Sequence, residues 1–170
     1  MTVAYRPDPR PRALVKANVG KAAGGLAAAL ALALPVVAHW EGERRVGYMD
    51  VIDVPTYCFG GTGPKAVVGK RYTAAECQTQ LAQDIVSHAR PLQKCITREL
   101  PPEVFAAFIS LSYNIGPAGV CRSSVVRYAN AGDLRSACAA ISKFNRAGGK
   151  VYRGLVNRRA DERRLCERGL

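Results

Sequence analysis

The feature that most limits how this chain can be arranged is an uncharged run of 17 residues, AAGGLAAALALALPVVA (22–38), set directly against the polar stretch HWEGERRVGYMDVIDVPTYCFGGTG (39–63). Ahead of the run, residues 1–21 carry Arg6, Arg10, Arg12, Lys16 and Lys21. A basic leader before an apolar run is an export pattern, with the leader held on the cytoplasmic side. As a helix the run spans about 25 Å, at the short limit for a hydrocarbon core. Its eight alanines contribute little apolar area, so its hold on a bilayer is marginal. Three readings stay open. Val36-Val37-Ala38 offers small residues for cleavage of a signal peptide, although Glu41 would then lie third from a charged new terminus. A permanent anchor needs more hydrophobicity than the run has. An uncleaved, weakly held anchor that can leave the membrane fits both its length and its composition.

The chain divides accordingly into a basic leader (1–21), a signal-anchor segment (22–38) and a single domain (39–170), which is long enough to bury its own core. Of the net charge of +12, +8 lies beyond residue 40, which favours an anionic partner without choosing among nucleic acid, anionic lipid and an acidic wall polymer. Nucleic acid fits poorly, because the aromatics are few and the final arginine-rich helix interleaves acids with its cations. Cys58, Cys77, Cys95, Cys121, Cys138 and Cys166 all follow the apolar run, and no pair has metal-ligand spacing. An even count behind an export signal points to disulfides, with 15 pairings open. Neither a metal nor a cofactor is expected.

Residues 46–72 alternate and are rich in Gly, Val, Tyr and Thr, which predicts a small hairpin-based sheet. From Thr73 the pattern becomes helical, with a Thr73/Glu76 capping box, and Pro91 is expected to end or bend the helix. Pro101-Pro102-Glu103 opens a second apolar helix, stopped by Gly116-Pro117. Ser123 or Ser124 caps a short helix. Asp133 caps LRSACAAISKFNRA, a helix expected to end at Gly148-Gly149. A charged helix covers roughly 154–168, its acids spaced i, i+3 and i+4 from arginines. The fold class is therefore α+β.

Glu41, Asp50 and Thr56 stand together as chemistry. Glycoside hydrolysis needs one protonated carboxyl to serve the leaving oxygen and a second, ionised one to act with water. At the end of an apolar helix Glu41 is expected in apolar surroundings that favour its neutral form. Asp50, on a polar hairpin, stays charged more easily, and the Thr56 hydroxyl can hold a water. Spacing alone favours surface glutamates and ordinary turn aspartates.

EG(x5)YxD, followed six residues later by Thr and then by FGGTG, resembles the active-site signature of phage-type lysozymes, glycoside hydrolase family 24. SLSYNIGPAG (110–119) and KFNRAGGKVYRGLVNRRADERRLC (143–166) are similar to that family's C-terminal signature. The resemblance implies a lysozyme-like fold, with a small β-hairpin lobe and a larger helical lobe joined by a long helix. It implies Glu41 as general acid, Asp50 as the carboxylate acting with water, and Thr56 as the residue positioning that water. Gly60 and Asn114, in the two matching stretches, become candidate substrate-binding residues. The implied reaction is hydrolysis of the β-1,4 bond between N-acetylmuramic acid and N-acetylglucosamine of peptidoglycan, usually with inversion. Two departures stand out. Asp53 occupies a place where the family usually has Gly, in a turn whose left-handed conformation Asp tolerates. The family's common histidine is replaced within Gly60-Gly61-Thr62, so any pair it makes needs a substitute, for which a disulfide from Cys58 is a candidate.

The N-terminal architecture is similar to that of signal-anchor-release endolysins. That resemblance implies export by the host Sec pathway, tethering at the inner membrane, and later release as a soluble periplasmic monomer. With no cysteine before Cys58, an anchor-thiol switch is unavailable, and a conformational one is left: Glu41 is misplaced while residues 22–38 sit in lipid. A lytic transglycosylase is the nearest rival. It needs the acid but no water-activating carboxylate, so Asp50 with Thr56 favours hydrolysis.

Overall fold

The computed structural model describes residues 25–170; the basic leader and residues 22–24 lie outside the described residues. Helix α1 (Gly25–Glu41) takes in most of the apolar run and continues through His39 and Trp40 to end on Glu41 itself. Every fourth residue on one face, Ala29, Ala33 and Val37, is 0% exposed. The small side chains on that stripe let α1 lie close to the helices it covers. Among the described residues no helix is long and apolar enough to cross a membrane.

Gly42, at φ 71°, turns the chain out of α1. Strand β1 (Arg44–Met49) then pairs antiparallel with β2 (Pro55–Cys58), with Tyr48 opposite Thr56 and an irregularity between Arg44 and Tyr48. Val46 also pairs with Arg71, which folds the following loop back onto the hairpin. Helix α2 (Ala74–Cys95) opens with the expected capping box: Thr73 Oγ1 accepts from Glu76 N, and Glu76 accepts from Thr73 N. It does not end at Pro91 but runs on to Cys95. Leu92 is fully buried there and the Cys95–Cys121 disulfide ties that last turn down, which outweighs the missing proline N–H.

Helix α3 (Pro102–Ile115) is the centre of the molecule, with every residue from Val104 to Ser112 buried. Burial on all sides follows from its position, with α1, α2 and the helix over Arg153–Glu167 all packed against it. Gly116 ends α3 at φ 79°, and Pro117 opens the short α4 (Pro117–Cys121). Ser123 caps α5 (Ser124–Ala131), and Asp133 caps α6 (Leu134–Ala140). The helix expected to reach Gly148 stops at Ala140. A 3-10 turn (Ile141–Lys143) follows, then a hairpin of β3 (Arg146–Ala147) and β4 (Lys150–Val151). Gly148 and Gly149 both have positive φ, so the pair acts as the two-residue turn of a hairpin rather than as a helix stop. Helix α7 (Arg153–Glu167) closes the chain.

All six cysteines are paired, as Cys58–Cys77, Cys95–Cys121 and Cys138–Cys166. The first joins the hairpin to the start of α2, the second joins the end of α2 to α4, and the third joins α6 to α7. Helix α2, about 33 Å long at 1.5 Å per residue, is thus fastened near both ends. The architecture is a helical majority with two small two-stranded hairpin sheets.

Candidate active site

Glu41 is the last residue of α1 and its side chain is 23% exposed. The apolar surroundings expected for it are not what the fold provides. Arg158 of α7 donates from Nη1 to Glu41 Oε1 at 2.8 Å. Arg158 is itself held from behind. Its Nε donates to Glu162 Oε1 at 3.2 Å and its Nη2 to the Ser110 carbonyl at 3.3 Å. Glu162 Oε1 also accepts from the Ser110 hydroxyl (2.8 Å) and from Arg159 Nη2 (2.9 Å). Burial pushes the Glu162 carboxyl up, and the guanidiniums of Arg159 and Arg158 pull it back. With three donors on one oxygen, and arginines that do not give up their protons, the carboxylate is the form that fits.

Two further titratable groups feel the Glu41 charge. His88 of α2 is held below the ordinary imidazole value by burial, opposed by the backbone of Ser112, and its Nδ1 lies 3.1 Å from the Ser112 hydroxyl. It stacks on Tyr113 of α3, with ring centroids 4.9 Å apart. Burial pushes the Tyr113 hydroxyl up, so it stays a donor, to the Phe59 carbonyl at 3.0 Å.

Asp50 and Thr56 lie in and beside the turn that joins β1 to β2. Asp50 Oδ1 accepts from Ile52 N and from Val54 N, both at 2.9 Å. Thr56, 4% exposed, donates its hydroxyl to the Val54 carbonyl at 2.9 Å. Both side chains therefore converge on Val54, one on its N–H and one on its C=O. Asp53 sits at φ 59°, the left-handed conformation expected where Gly is usual, and is exposed. Its place in the hairpin is conformational. Gly60 is exposed at φ 84°, and Asn114 is exposed near the end of α3. The hydrogen bond from Tyr113 to Phe59 joins the residues immediately before them, so these two stretches meet at one edge.

Where a histidine is usual, Gly61 leaves room that is already filled. A Cβ there would meet Gln80 Cδ and Tyr57 Cε1 at 2.8 Å. Gln80 accepts from Phe59 N at 3.2 Å and donates to Asp84. With the Cys58–Cys77 disulfide, this amide ties the loop to α2 without an imidazole. Among the described residues, no cluster of three or more His, Cys, Asp or Glu is arranged to hold a metal.

Arg158, Glu162, Ser110 and Gln80 are the parts of the site that sequence reasoning misses. The only signal for the first two is their i, i+4 spacing, which a solvated helix face shows equally.

Residues 38–162 match the profile of the family described as Phage lysozyme. The chain belongs to the phage lysozyme family. Among its relatives, the SAR-endolysin of Enterobacteria phage P21 is 35% identical over 158 residues, covering 93% of this chain and 96% of that protein. The SAR-endolysin of Bacteriophage PS119 is 38% identical over 126 residues, covering 74% and 75%. Of solved phage lysozyme structures, a mutant of P22 lysozyme superposes with a TM-score of 0.75 at 27% identity, covering 79% of this chain and 94% of that one. The active form of P1 phage endolysin Lyz gives 0.73 at 26% identity, covering 81% and 84%.

Proposed function

We propose that this phage lysozyme is an endolysin that hydrolyses the β-1,4 bond between N-acetylmuramic acid and N-acetylglucosamine, with Glu41 as general acid. Family membership makes it a glycoside hydrolase of the muramidase type, and peptidoglycan is its substrate. Asp50 acts with water opposite the acid, and Thr56 positions that water. The observation that carries the reading is the fixed position of Glu41. Its carboxylate is held by Arg158 at the mouth of a buried network and joined to the Asp50 hairpin by only the short turn at Gly42 and Glu43. Arg158 fixes the carboxyl's orientation, and Glu41 delivers its proton to the leaving oxygen as the glycosidic bond breaks. Among the described residues Asp50 is anchored through Oδ1, and Oδ2 is the oxygen that acts with the attacking water. Gly60 and Asn114, at one edge, contribute to glycan binding.

The enzyme works as a periplasmic monomer. It is exported by the host Sec pathway and first tethered to the inner membrane by residues 22–38. Release lets α1 pack on α3, which carries Glu41 to Arg158. In support, the helix that ends on Glu41 buries a stripe of small residues, while its larger Leu30, Leu32 and Leu34 are only partly covered.

Digestion of purified peptidoglycan tests the chemistry. Reducing muramic ends are expected, and an anhydro product would mark a transglycosylase instead. Glu41→Gln is expected to be inactive, and full activity would remove Glu41 from its role. For the anchor, Gly25→Leu adds apolar area where nothing stands within 4 Å of a new Cβ. Slower lysis with unchanged activity of the purified enzyme is expected; lysis on the normal schedule would count against release as the trigger.

A further inference from the structure

Glu162 has no part in the chemistry as assigned, yet it is fully buried between two arginines. Its Oε1 takes donors from Ser110, Arg158 and Arg159, and its Oε2 lies 2.7 Å from Arg159 Nε. Arg158 is thereby divided. Nε belongs to Glu162, Nη2 to the Ser110 carbonyl, and only Nη1 reaches Glu41. Four charged groups form one row from the site into the core, two cations alternating with two carboxylates when Glu41 is ionised. When Glu41 takes a proton, the row is left with one excess positive charge.

We propose that Glu162 is a positioning residue for the proton donor: it occupies Arg159 and the inner side of Arg158, so that Glu41 meets one N–H rather than two uncompensated guanidiniums. The inference rests on the reading of Glu41 as general acid. Among the described residues, the two groups on α2 and α3 that feel Glu41 do not substitute for Glu162. Burial holds the His88 imidazole of α2 below its ordinary value and pushes the Tyr113 hydroxyl of α3 up, so both shifts favour the neutral form. The nearby balance of charge is therefore set by α7, where Arg158 and Arg159 stand against Glu162. A low-dielectric interior magnifies any imbalance there.

The test is activity of the full, disulfide-intact chain on purified peptidoglycan as a function of pH. A general acid works only while protonated, so activity falls on the alkaline side as it ionises. In Glu162→Gln an anion is lost and the ionised form of Glu41 is favoured. The alkaline limb is expected to move down by about one pH unit, a tenfold weaker hold on the proton. In Arg159→Gln a cation is lost, and the limb is expected to move up. These opposite displacements separate positioning from mere packing, which would scale activity without moving the limb. An unmoved limb in both variants, or movement of both in one direction, overturns the proposal. Should Glu162→Gln fail to fold, Arg159→Gln decides alone: an upward displacement supports the proposal, and an unmoved or lowered limb overturns it. Glu41→Gln is measured beside them. Retained activity there removes the acid on which the inference rests, a failure distinct from an unmoved limb with Glu41→Gln inactive.

Discussion

The Glu41 carboxylate and the Arg158 guanidinium, 117 positions apart in the chain, meet at 2.8 Å. The contact ties the last residue of the first described helix to the last helix of the chain, across the buried α3. The position of the proposed acid thus depends on the first described helix and on the last one, and on how each is held against α3.

Removing Arg158 leaves Glu162 buried with one arginine fewer and Glu41 without its partner. Breaking a buried pair from one side costs about 3 kcal/mol or more. Urea unfolding of Arg158→Met is expected to show a loss of that order. Arg158→Lys should fall between it and wild type, since one ammonium cannot serve Glu41, Glu162 and the Ser110 carbonyl in the planar geometry of a guanidinium.

Asp50 combines a structural task with its proposed chemical one, and the two are separable. An asparagine keeps an oxygen for Ile52 N and Val54 N but carries no charge. Asp50→Asn should therefore keep its thermal transition while kcat falls at least a hundredfold. Asp50→Ala should lose activity and also about 1 kcal/mol of stability, because both backbone donors lose their acceptor.

Asp53 sits at φ 59°, where a side chain is a mild burden. Asp53→Gly should relieve the turn by about 0.5 kcal/mol and leave kcat/KM unchanged. A large fall in kcat would instead make Asp53 the carboxylate that acts with water.

The Cys58–Cys77 bridge spans 19 positions and fastens the hairpin to α2. Replacing both cysteines by alanine should cost about 3 kcal/mol by the loop-entropy relation. Activity should fall earlier in a temperature series than global unfolding, because Phe59 and Gly60 follow directly on Cys58.

His88 gives a pH dependence of known sign. Burial holds its pKa in the folded protein below the ordinary value of 6.5, with the Ser112 hydrogen bond opposing. Below 6.5 the unfolded chain takes up a proton that the folded one refuses. Stability is therefore lost as pH falls from 6.5 towards the lower folded value, and this contribution levels off beneath it. His88→Gln should flatten that part of the stability–pH curve.

The elements legible in the sequence are those whose signals are local. The Thr73/Glu76 box, the Pro102 start of α3 and the Asp133 cap all depend on atoms within four residues of one another. The existence of disulfides was legible from count and context, but their pairing depends on which helices the fold brings together. Pro91 does not end its helix, because a buried Leu92 and a disulfide at Cys95 act on the helix from outside its own sequence. Gly148-Gly149 serves equally as a helix stop or a hairpin turn, and the partner strand decides. The proposed triad is legible only through the family resemblance, since its spacing alone favours surface and turn carboxylates. Arg158 and Glu162 are not legible, because an i, i+4 charge pair reads the same whether it faces water or the core. Only the placement of α7 against α3 tells them apart.

None of the three disulfides includes a residue of α1: the first cysteine in any of them is Cys58 and the last is Cys166. The covalent frame of the molecule can therefore be completed by oxidation while the first helix is elsewhere, and nothing has to be reduced for that helix to arrive. If residues 22–38 are released from a membrane as proposed, two events with separate timing follow, one chemical and one mechanical. The redox state of the compartment governs the first, and the docking of a 17-residue helix governs the second. A cell lysed on schedule would be reading the slower of the two.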